Sequence, residues 1–234
     1  ILELLPNLQF DQDVLDLMTD FSLAGERAVN WNVLAVTGAK DTEERVRRQL
    51  SVSDYARERG AEVVALTVPC TPELYLNLLT GCVFDGLPGV WSEMFKLPVA
   101  ERIEKFKDAS YRKRMAADAA GTDPKNPMVM LADLGNYTVI EVKSEKHKKY
   151  EGRLTRDIAK ELGVEPVDVM LDLAVEDELK TVFAPYLGGH DQASYELRGK
   201  LWHDDRTLIG ASDAGAHLDM IDTFAFSTIL LQKG

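Results

Sequence analysis

Histidine and cysteine are scarce in this chain, with four of one and two of the other in 234 residues. Cys70 and Cys82 sit in apolar surroundings without a CxxC or Cys/His ligand spacing. Neither a disulfide framework nor a zinc finger is therefore expected. No apolar run approaches the roughly 18 residues that a spanning helix needs, and no signal-peptide pattern opens the chain. A soluble, cytoplasmic protein without a membrane partner is expected. Basic clusters are missing too. Lysine and arginine number 27 against 39 acidic residues, a net charge of −12. The densest basic stretch, Lys143 to Lys149, is broken by Glu145 and flanked by Glu141 and Glu151. Such a stretch is a solvated surface rather than a phosphate footprint, so nucleic acid is not an expected partner. Internal repeats and low-complexity segments are absent as well.

What is present is an alternation of two periods. Ile1–Leu5, Val29–Val36 and Glu62–Val68 are strand-like, the last β-branched and closed by Pro69. Between them, Asp11–Ala24 and a charged segment from Asp41 or Thr42 to about Gly60 have helical spacing, Gly25 being the expected stop of the first. Strands alternating with helices of this length predict βα units, a parallel sheet and an α/β fold. Thr71–Ala120 breaks the rhythm with helical stretches at Pro98–Phe106 and Tyr111–Ala119. It reads as an inserted excursion, with 121–127 as linker. Met128–Leu131 and Tyr137–Val142 are strand or hairpin candidates, Leu154–Leu162 and Val167–Leu173 short helices, and Lys180–Phe183 a weak strand. Gln192–Trp202 is a helix, Thr207–Ala211 the last strand, and Leu218–Leu231 an amphipathic segment. The chain opens inside a strand pattern and stops soon after a helical one, as a piece of a longer protein would.

Chemistry concentrates where that last strand ends. Thr207-Leu-Ile-Gly-Ala-Ser-Asp-Ala-Gly-Ala-His217 carries Asp213 and His217 four residues apart, among small residues that let a ligand approach the backbone. A carboxylate there can ligate a metal or take a proton from water; it can equally cap the following helix or close an Asx-turn. His217 can bind substrate or pack at a helix start. Cys70 follows the best strand and is either pocket-lining or inert packing. Asn32 is a candidate for the barrel mouth or a satisfied strand residue. Arg153 can clamp a carboxylate in bidentate fashion or lie on the surface. His190 follows Gly188-Gly189 in a loop, His203 marks a helix end, and His147 stands exposed among lysines.

Three stretches carry a resemblance. Ile209-Gly-Ala-Ser-Asp-Ala-Gly-Ala-His-Leu-Asp-Met220 resembles the last-strand motif of the N-acyl-D-amino-acid deacylase group of the amidohydrolase superfamily. Tyr150 to Leu173 and Ala56 to Pro72 are similar to two further segments of that family, in the same order. The resemblance implies a partial (β/α)8, TIM-type barrel of the metal-dependent hydrolase kind. Residues 1–234 would be its carboxyl-terminal part and residues 71–127 a helical insertion. The implied reaction is hydrolysis of the amide bond of an N-acyl amino acid or a related small amide, with zinc as cofactor. Asp213 would be metal ligand and proton shuttle, with His217, Arg153, Cys70 and Asn32 supporting the substrate. The family's His-x-His pair would lie before Ile1, and a further histidine position falls on Val33. A chain so placed would have little activity by itself. It would need the remainder of its barrel and would tend to form homo-oligomers through unpaired sheet edges. One alternative is a barrel that binds a small ligand or partner after losing its metal site. A metal-free enzyme using Asp213 and Asp219 is another.

Overall fold

The computed structural model describes residues 2–7, 9–81, 83–126, 128–212, 220–223 and 225–233. In chain order the elements are β1 (Leu2–Leu4), α1 (Gln12–Gly25), β2 (Val29–Leu34), α2 (Thr42–Arg57), β3 (Val63–Thr67) and β4 (Glu73–Leu74). Next come α3 (Val90–Met94), α4 (Val99–Lys107), α5 (Ala109–Ala120), β5 (Tyr137–Glu141), α6 (Thr155–Leu162), α7 (Pro166–Glu176) and β6 (Val182–Pro185). The chain ends through α8 (Gln192–Trp202), β7 (Thr207–Ile209), β8 (Ile221–Asp222) and α9 (Phe226–Lys233). They divide into two compact units, residues 1–73 with 187–234, and residues 74–186.

The first unit is mixed α/β, built on a four-stranded sheet of order β1-β2-β3-β7 in which each pairing is parallel. Local chemistry explains its helices. Asp11 caps α1 by accepting from the Val14 amide at 3.4 Å, and Val14, Met18 and Ser22 recur at helical spacing on the buried face. The expected stop at Gly25 moves on by one residue: Glu26 takes the left-handed conformation at φ 48°. Gly25 serves packing instead, since a Cβ there would stand 2.6 Å from Leu2 of β1. In α2, Val46, Leu50 and Ser53 are buried at the same spacing.

Alternation along the strands sends Val29, Trp31, Val63 and Ala65 to the helix-covered face, where they join Val14, Met18, Val46 and Leu50 in one core cluster. Phe10 packs on Trp31 with ring centroids 4.6 Å apart. Each fully buried aliphatic side chain of this kind contributes roughly 1.5–3 kcal/mol. The other face carries Glu3, Asn30, Asn32, Val64, Leu66 and Leu208 by the same alternation.

The second unit joins helices α3 to α7 to the antiparallel pair β5–β6, with Tyr137 opposite Pro185 and Val139 opposite Phe183. Phe84, Trp91, Phe106, Met115, Tyr137 and Phe183 are buried in it. Their polar atoms are paired: Trp91 Nε1 donates to the Met115 carbonyl at 2.8 Å, and the Tyr137 hydroxyl to that of Leu131 at 2.9 Å. This unit includes residues 74–127 of the expected excursion and continues through β6.

Two local expectations change. Residues 129–131 form a turn of 3₁₀ helix rather than a strand. Asn126 accepts from the Met128 amide through its side chain and from Val129 through its carbonyl, and these bonds start the turn. The weak strand expected at Lys180–Phe183 begins at Val182. Glu178 and Leu179 have positive φ, and Asp177 accepts from the Lys180 amide and the Thr181 hydroxyl, so these residues are used in a turn. No described helix is long and apolar enough to cross a membrane.

Candidate functional site

In open parallel sheets and in barrels alike, ligands gather at the carboxyl ends of the strands. In the first unit those ends are tied together. The Thr67 hydroxyl at the end of β3 donates to the Leu34 carbonyl at the end of β2, at 3.0 Å. The Gly210 amide after β7 donates to the Thr67 carbonyl, also at 3.0 Å. The Gly38 amide donates to the Leu187 carbonyl at 2.8 Å.

Arg198 of α8 fastens this region. Its side chain is fully buried. Nη1 donates to the Gly189 carbonyl at 2.7 Å, while Nη2 donates to the Val36 carbonyl at 2.8 Å and to Thr71 Oγ1 at 2.7 Å. The Thr71 hydroxyl in turn donates to the Gly188 carbonyl at 2.9 Å. No carboxylate lies within ion-pair distance of Arg198 among the described residues, and burial pulls its pKa down. Glycine is needed where the segments cross. Gly189 has φ 84°, and a Cβ on it would meet Thr71 Oγ1 at 2.8 Å and Thr37 Cα at 3.1 Å.

Cys70 stands beside this junction, buried as a free thiol. Burial pushes its pKa up; the Arg198 charge opposes that, and Asp222 and Glu73 add to it. A raised thiol is a poor nucleophile at neutral pH, which suits packing better than attack. A cleft of about 400 Å³ opens nearby on the first unit, lined by Thr37, Gly38, Lys40, Thr42, Asp191 and Ser194 among others. A larger hollow of about 490 Å³ belongs to the second unit. Its lining is mostly small and aliphatic, with Asp133 and Glu165 as its titratable groups, so the strand-end region has the richer chemistry.

The candidate residues fall in different places. Asp213 and His217 lie outside the described residues. The described segment before them, Gly210–Ser212, leaves the carboxyl end of β7, and the Thr223 hydroxyl donates to the Ser212 carbonyl. Asn32 is on β2, where its Nδ2 donates to Glu3 Oε1 at 2.8 Å; Asn30 Nδ2 donates to Glu3 Oε2 at 3.1 Å. Arg153 belongs to the second unit, with its Nη2 2.6 Å from Glu161 Oε2. That guanidinium is therefore already engaged, and it holds Glu161 below the usual carboxylate range. His203 is the C-cap of α8, as its position suggests, and His190 is exposed. His147 is half-buried rather than exposed, its ring 5.9 Å from that of Tyr150.

Sequence reasoning missed Arg198, Glu3 and Asn30. The signal for Arg198 was present: Ser194, Arg198 and Leu201 share one face of α8, and all three are buried. For Glu3 and Asn30 the informative fact is the β1–β2 register, which local pattern does not carry.

Zinc, implied by the resemblance, finds no ready cage: among the described residues no group of three or more His, Cys, Asp or Glu side chains is placed to hold a metal ion. The class these observations define is a mixed α/β protein with a helix-backed parallel sheet. No family model, curated protein or solved structure matches the chain.

Proposed function

We propose that the chain belongs to a (β/α) barrel hydrolase that cleaves the amide bond of an N-acyl amino acid or a related small amide, with Asp213 as its proton-handling group. One observation carries this reading. β7 is a parallel strand paired with β3, Thr67 opposite Ile209, so the Ile209–Met220 motif starts at the carboxyl end of the sheet. In barrel enzymes that end bears the catalytic groups. A helix-backed parallel wall is also what one side of a barrel requires. The strand ends tied together around Arg198, Thr71 and Gly189 support the reading, since a catalytic constellation needs rigid elements to carry it.

In this reading the Asp213 carboxylate accepts the proton of the attacking water. It returns that proton to the departing nitrogen as the C–N bond breaks. Zinc enters as an expectation of the resemblance, and the described side chains do not by themselves supply its ligands. Ligand binding without hydrolysis is the second reading, favoured by Val33 at the position matched to a family histidine.

The test is turnover of a panel of N-acetyl-D- and N-acetyl-L-amino acids, with and without added zinc, by the longer protein that would complete this barrel and by its Asp213→Asn variant. Loss of a general acid–base group lowers kcat by about 10²–10⁴-fold, and a drop of that size is expected. Unchanged turnover in Asp213→Asn would rule out the hydrolytic role.

A further inference from the structure

We draw no further inference here: the strongest candidate, the cleft of about 400 Å³ between the first turns of α2 and α8, rests on two helix N-termini and exposed charges of both signs, and the only buried side chain lining it among the described residues, that of Ser194, is already hydrogen-bonded to Asp191.

Discussion

Arg198 is the residue on which the strand-end region depends. A fully buried guanidinium is costly unless its donors are used, and here two nitrogens serve three acceptors from separate segments. Replacing it by methionine would keep much of the volume while leaving the Gly189 and Val36 carbonyls and Thr71 Oγ1 without their partner. An unpaired buried acceptor costs about 1–3 kcal/mol, and the relieved burial of a charge offsets part of the sum. Arg198→Met is therefore expected to destabilise by about 3 kcal/mol. Urea unfolding checks this as a lower midpoint at unchanged slope; an unchanged midpoint would remove Arg198 from its fastening role. The residue was readable only in part. The spacing 194, 198, 201 marks a buried face of α8, but nothing local says that the acceptors would be Val36 and Thr71.

At the level of elements, α8 shows how far local chemistry reaches. Its expected span, Gln192–Trp202, is the span observed, because Asp191 is a strong N-cap and Leu197 and Leu201 set the period. The Asp191 carboxylate accepts from the Ser194 amide and hydroxyl, both at 2.9 Å. The backbone bond first, and the hydroxyl second, hold its pKa below the ordinary 3.8. A depressed folded-state pKa means stability that is present above the ordinary value and lost as pH falls through the lowered one. Asp191→Ala is expected to speed amide hydrogen exchange in the first turn of α8. The gap in urea midpoint between parent and variant should be widest at neutral pH and narrow as pH falls below the ordinary 3.8. A gap that stayed constant across that range would contradict the cap. Residues 129–131 show the opposite case: an apolar run of four has no readable period, and the Asn126 turn decides its conformation.

Across the whole molecule, charge is the property most directly set by composition. With a pI of about 4.8, repulsion between copies vanishes near that pH. Solubility measured against pH should pass through its minimum there and recover at neutral pH; a minimum above pH 6 would show that the exposed carboxylates are widely neutralised. Exposed Leu208 and Ile209 are expected to deepen that minimum once charge no longer opposes association.

Local pattern settled the α/β character, the β1-α1-β2-α2-β3 succession and most helix spans, since these rest on periods of 2 and 3.6. Only the tertiary structure decided that β7 lies against β3, that residues 74–186 form a compact unit between them in the chain, and that Arg198 is spent on Thr71, 127 residues away. It alone brought Glu3 to Asn30 and Asn32. Such pairings depend on register and burial across long stretches of chain, and a local pattern holds no record of either.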